Sequence, residues 1–179
     1  MKHRWVVLLS LAIAVLLPAA AQATIFVVDS TGDQADATAG SGACATVAPV
    51  RCTLRAAIQT VNATAAGAPH TIAFAIPTTD AGFTPATGVF AITAAALLPS
   101  LNRIGTIVNG TTQATSPAGN TNPLTLGTGG SVGVDNLPLP QLAAPEIVIR
   151  DNGNLTIGLD VAANNVEIGG LAIHGFGNS

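Results

Sequence analysis

Three carboxylates, Asp29, Asp33 and Asp36, fall in one small-residue loop, where they are weak candidates for holding calcium. Their spacing lacks the distal Glu of an EF-hand loop, so a solvated acidic turn is the simpler account. The other acids are scattered. Glycoside hydrolysis needs two converging carboxylates, and no paired-Asp motif supplies them. No serine sits in a nucleophile-elbow pattern. The Gly127–Gly130 and Gly169–Gly170 glycines do not lie between a strand and a helix, so they read as turns and not as a phosphate loop. His70 precedes a strand run without a nameable partner, and His174 should face outward after Ile173. No catalytic residue is assigned on these grounds, and no cofactor beyond the weak calcium candidates is implied.

Cys44 and Cys52 are the only cysteines. Both follow an N-terminal segment with the layout of an export signal. Lys2, His3 and Arg4 form a positive end, and Trp5 to Leu17 is apolar apart from Ser10. Pro18 breaks the run, and Ala21-Gln22-Ala23 places small residues before a cut between Ala23 and Thr24. Thirteen residues are short for a membrane span of about 20, and no later run is comparable. An even cysteine count in an exported chain reads as a disulfide. Closing so small a loop contributes about 2.5 kcal/mol on the chain-entropy estimate. The rival reading is a metal site, but two thiolates without a nearby His make a poor zinc site.

Composition narrows the class further. The chain has 179 residues, 49% of them hydrophobic and only 8% charged. Charge-driven disorder is excluded. From Thr24 onward there are four Arg, no Lys and nine acids, for a net charge of −5. That balance excludes a phosphate-tracking nucleic-acid surface, which needs clustered cations. Gly 19 and Pro 11 against Trp 1 and no Tyr favour short strands with many turns over a helical bundle.

The pattern along the chain predicts the elements. Thr24–Val28 is a strand, followed by a small-residue loop. Thr53 caps one amphipathic helix carrying Leu54, Ala57, Ile58 and Val61, ended by Asn62 and Gly67. Strands are expected at Thr71–Ile76, Gly88–Thr93 and Thr106–Asn109, with a short one at Leu124–Leu126. Four more follow at Glu146–Ile149, Leu155–Ile157, Asn165–Ile168 and Leu171–Ile173. Alternation turns Ile147, Ile149, Leu155, Ile157, Val166, Ile168, Leu171 and Ile173 inward. Stacked short runs punctuated by Asn and Gly are the logic of a parallel β-helix. The expected organisation is a signal peptide over 1–23, a cap module with the first strands over 24–110, a Thr/Gly/Pro-rich excursion over 111–145, and the first rungs over 146–179. The fold class expected is therefore all-β: a right-handed parallel β-helix with one N-terminal capping α-helix. Its run of rungs reads as truncated, and an uncapped end predicts self-association.

Cys44 and the stretch Cys52-Thr-Leu-Arg-Ala-Ala-Ile-Gln59 resemble the CSLREA-type module, named for its Cys-Ser-Leu-Arg-Glu-Ala signature. Phe26-Val-Val-Asp-Ser-Thr-Gly-Asp33 and Thr71-Ile-Ala-Phe74 are similar to its opening strand, acidic loop and second strand. Thr53 replaces Ser and keeps the cap. Ala56 replaces Glu and removes the capping-box partner and an ion pair to Arg55. The resemblance implies a secreted or surface-exposed bacterial protein and a pectate-lyase-like β-helix. The signature looks structural in that family, so no catalytic role transfers. Thr53, Leu54, Arg55, Ile58 and Val61 would cap and plug the first rung, with Arg55 turned to solvent or to the loop acids. The function expected is a secreted or cell-surface module, structural, adhesive or glycan-contacting, without evident catalysis. Its expected partner is an extracellular glycan or cell-surface component. The alternative is an N-terminal piece of a polysaccharide lyase or hydrolase. Arg150, Asp151, Asp160 and Glu167 are the residues such an enzyme would offer, at generic spacing.

Overall fold

A computed structural model describes residues 23–64, 69–127 and 129–177. The proposed signal peptide and Gly67 therefore lie outside the described residues, apart from Ala23. Thr24–Val28 (β1) alternates as its β-branched and aromatic content requires, with Phe26 and Val28 buried and Ile25 and Val27 exposed. Leu54–Ala63 (α1) starts at Thr53, whose hydroxyl accepts the Ala56 N–H at 3.1 Å and satisfies one orphan donor of the first turn. The helix ends at Ala63. That is one residue past Asn62, whose amide donates to the Ser100 carbonyl and whose oxygen accepts the Asn102 N–H. Leu54, Ile58 and Val61 are fully buried, and α1 packs against β1 and the next strand, His70–Phe74 (β2).

The remaining strands are Phe83–Thr84 (β3), Val89–Ala94 (β4), Thr106–Asn109 (β5), Thr125–Leu126 (β6), Ser131–Val132 (β7), Leu137–Pro138 (β8), Leu142–Ala143 (β9), Ile147–Asp151 (β10), Glu167–Gly169 (β11) and Leu171–His174 (β12). They form two four-stranded sheets, ordered β1-β2-β5-β11 and β12-β10-β4-β3, and two two-stranded ladders, β6-β9 and β7-β8. The first sheet is parallel, and so are β4, β10 and β12 in the second. The β3–β4 pair and both small ladders are antiparallel. One core lies between the two large sheets, built from Phe26, Val28, Ile72, Phe74, Phe90, Ile92, Val108, Ile147 and Ile149.

This arrangement corrects the expected all-β right-handed parallel β-helix. The strands form small sheets of mixed parallel and antiparallel pairing beside one helix. Two local causes stand out. The chain before β4 folds back on it through β3, where Phe83 and Phe90 stack with ring centroids 4.7 Å apart. The four strands expected after residue 145 reduce to three, because Leu155–Ile157 forms none. Burial follows suit. Ile147 and Ile149 are fully buried, but Ile157, Ile168 and Ile173 are 47%, 37% and 43% exposed. β11 and β12 are outer strands of their sheets, and Leu155, Val166 and Leu171 are only partly buried where they pack against the core.

Two polar side chains extend the sheets where backbone partners run out. After β5 the chain enters a 3-10 turn at Gly110–Gln113. There Thr112 accepts the Phe74 N–H at 2.7 Å. The fully buried Gln113 amide accepts the Ile76 N–H at 2.8 Å and donates to the Ile76 carbonyl at 2.9 Å. Buried backbone groups must be paired, and this amide acts as a surrogate strand. The 123–145 excursion is fastened at its base by Glu146. One carboxylate oxygen accepts the Thr121 and Asn122 N–H groups, and Asn122 donates to the Pro145 carbonyl. Gly88 sits under this base at φ +68°, where a Cβ would fall 1.8 Å from the Thr121 carbonyl oxygen.

Candidate functional site

The loop between β1 and α1 carries the three aspartates, and the structure gives each a separate protein partner. Asp29 accepts the Cys52 N–H at 2.8 Å and lies 3.6 Å from the Arg51 guanidinium. Asp33 forms a bidentate pair with Arg55 and also accepts the Ala95 N–H. Asp36 accepts the Thr60 hydroxyl at 2.6 Å and the Thr38 N–H at 3.2 Å. The weak calcium candidates therefore do not converge. Among the described residues no group of three or more His, Cys, Asp or Glu could hold a metal ion.

Cys44 and Cys52 are joined in a disulfide with their Cα atoms 5.2 Å apart. The bridge lies at the foot of α1, and Thr46 braces its loop by bonding the Pro49 carbonyl and the Arg51 N–H. Arg51 is thereby held beside an open cleft of about 350 Å³. Asp29, Arg51, Ile76, Pro77, Thr78 and Pro117 line it. The Asp29 and Arg51 side chains are 39% and 50% exposed, so their pair is open to exchange partners with a ligand. Clefts of about 300–1,000 Å³ with a few placed polar groups are the usual form of a small-ligand site.

The sequence also offered Arg150, Asp151, Asp160 and Glu167, and these four do not meet. Asp160 accepts the Ser100 hydroxyl. Asp151 accepts the Leu155 N–H at 2.9 Å. Glu167 is exposed on β11, in the other sheet from Arg150. Arg150 and His174 are both exposed and are register partners on β10 and β12, and Arg150 is likewise opposite Thr93 on β4. The Arg150 Nε donates to the Thr93 hydroxyl at 3.0 Å.

Two titratable groups were not singled out for the roles they hold. Asp80 ties the 77–82 turn to the acidic loop, accepting from the Ser30 hydroxyl, the Thr31 hydroxyl and N–H, and the Gly82 N–H. Burial pushes its pKa up, but these bonds outweigh it and hold the carboxyl below its usual value. His70 is buried against Phe26, with ring centroids 6.0 Å apart, and its Nε2 lies 3.5 Å from an Arg103 nitrogen. Burial, then the Arg103 charge, lower its pKa, while a backbone bond at Thr24 works the other way. The only sequence signal for Asp80 was its place in an Asp-Ala-Gly turn; nothing local marked its partners fifty residues upstream.

No helix among the described residues is long and apolar enough to cross a membrane. Comparison of the chain with protein-family models, with curated proteins and with solved structures finds no match. The functional reading therefore rests on the geometry above.

Proposed function

We propose that this chain is an exported, non-catalytic module that contacts an extracellular glycan or other cell-surface component. The Asp29–Arg51 cleft is its contact point, and the segment from Cys44 to Gln59 belongs to a CSLREA-type module. One observation carries the reading: a half-exposed ion pair stands beside the aliphatic faces of Pro77 and Pro117 in an open cleft. Sugar rings present the complementary surface, with C–H faces for the prolines and hydroxyls for a carboxylate and a guanidinium. Arg55 supports the module assignment, because its guanidinium is spent on tying three segments together rather than on a ligand.

The test uses the oxidised chain from Thr24 onward against a panel of soluble neutral polysaccharides by calorimetry. Saturable binding weakened about tenfold by Arg51→Gln, the loss of one charge-assisted contact, is the expected result. Failure of every glycan to bind overturns the reading. Appearance of new reducing ends during incubation overturns its non-catalytic half and favours the lyase or hydrolase alternative.

A further inference from the structure

The outer face of the second sheet carries a feature that the cleft does not use. In its parallel register Thr93, Arg150 and His174 form one row across β4, β10 and β12. Neighbouring strands lie about 4.8 Å apart, so the Arg150 and His174 side chains leave the sheet side by side. The adjoining row is Ala91, Val148 and Ala172, which is low and apolar. Arg150 is anchored at Nε by Thr93, which leaves the two terminal nitrogens of the fork directed away from that bond.

The charge balance of this row is unusual for the chain. Arg51 faces Asp29, and Arg55 is clamped on Asp33. Among the described residues no carboxylate makes an ion pair with Arg150. The acids nearest along the strands each have another hydrogen-bond partner. Asp151 follows Arg150 but accepts the Leu155 N–H, and Asp33, which reaches the end of β4, serves Arg55 and the Ala95 N–H. Glu146, before β10, is buried and serves Thr121 and Asn122. A chain with net charge −5 beyond residue 23 thus keeps one guanidinium without an ion-pair partner beside an imidazole on one exposed row.

We infer that Thr93, Arg150 and His174 form an oxyanion-binding site on the sheet face, separate from the cleft, that takes the carboxylate or sulfate groups of an extracellular polymer. The guanidinium fork receives two oxygens of one group, as planar bidentate recognition requires. His174 donates an N–H to the same group or the next one along the polymer. Thr93 is a positioning residue: it fixes the fork without touching the ligand. The polymeric nature of the ligand rests on the proposed glycan contact; the oxyanion site does not.

Two readouts separate these claims. Sodium galacturonate and sodium sulfate are titrated into the isotopically labelled chain, following the Arg150 Nε–H and the His174 ring by NMR. Binding of polygalacturonate, dextran sulfate and neutral dextran is measured in parallel by calorimetry at low salt. The expected result is saturable shifts confined to this row and binding of a charged polymer that Arg150→Gln weakens about tenfold. Arg150→Lys keeps the charge, loses the fork and recovers only part of that affinity. Thr93→Val gives a smaller loss. Preference between polygalacturonate and dextran sulfate identifies the source of the oxyanion. Absence of shifts at Arg150 and His174 overturns the inference, as does charged-polymer binding indifferent to Arg150→Gln. Shifts with the small anions but no charged-polymer binding leave the oxyanion site standing and overturn the polymer as its ligand.

Discussion

Arg55 and Asp33 share a bidentate ion pair, Nε to Oδ1 at 3.0 Å and Nη2 to Oδ2 at 2.8 Å, with both side chains only 13% exposed. The same guanidinium donates to the Ala96 and Leu97 carbonyls, and Asp33 also accepts the Ala95 N–H. One pair thus joins the acidic loop, the first turn of α1 and the segment leaving β4. The residue after Arg55 is Ala56, so its carboxylate partner comes from the loop.

Arg55→Ala should destabilise the oxidised chain by about 3 kcal/mol, because it strands a largely desolvated carboxylate. Arg55→Lys should recover less than half, since an ammonium cannot reach that set of acceptors. Urea unfolding measures both. A loss below about 1 kcal/mol for Arg55→Ala would place the pair with ordinary surface salt bridges.

Gln113→Leu keeps the side chain of similar size but makes it apolar, and leaves the Ile76 N–H and carbonyl without partners. The expected cost is about 2–4 kcal/mol, the desolvation penalty of two buried backbone groups. Faster hydrogen exchange at the Ile76 amide is the local signature. Unchanged exchange there would show that water replaces the amide without loss.

Stability should fall on the acid side in two separable stages. Asp80 has a folded pKa below its ordinary value of 3.8. Its contribution is present above that value and is lost as pH drops through the lower folded one. His70 has a folded pKa below 6.5. The unfolded chain then binds the proton first, so stability is full above 6.5 and erodes as pH falls from there toward the folded value. Thermal melts across pH 2–8 on the chain, Asp80→Asn and His70→Gln test this. Each variant should flatten its own stage only, and an unchanged profile in either would refute that assignment.

Reduction of the Cys44–Cys52 disulfide should cost about 2.5 kcal/mol, as expected for a small closed loop. It should also loosen Arg51 beside the cleft, because the bridged loop is what holds it there. Melts of the Cys44→Ser/Cys52→Ser variant, with Arg51→Gln binding as reference, check both effects. Full cleft affinity in the disulfide-free variant would contradict the second.

Local pattern was sufficient for β1, α1 with its Thr53 cap, β5, and the disulfide between neighbouring cysteines. Each depends on residues within a turn or a strand's length of one another. Alternation turned His174 and Glu167 outward, but it did not decide their exposure, because Ile168 and Ile173 beside them are exposed as well. Sheet membership was not legible. Short apolar runs suit parallel stacking and antiparallel return equally well, and the choice at β3–β4 depends on Phe83 meeting Phe90 in space. The sites depend on pairings far apart in the chain: Asp33 with Arg55, Asp80 with Ser30 and Thr31, Gln113 with Ile76, and Arg150 between Thr93 and His174. Hydrogen bonds and strand register over such separations leave no periodicity in the sequence, because they are selected only when the core closes and every buried donor and acceptor must find a partner.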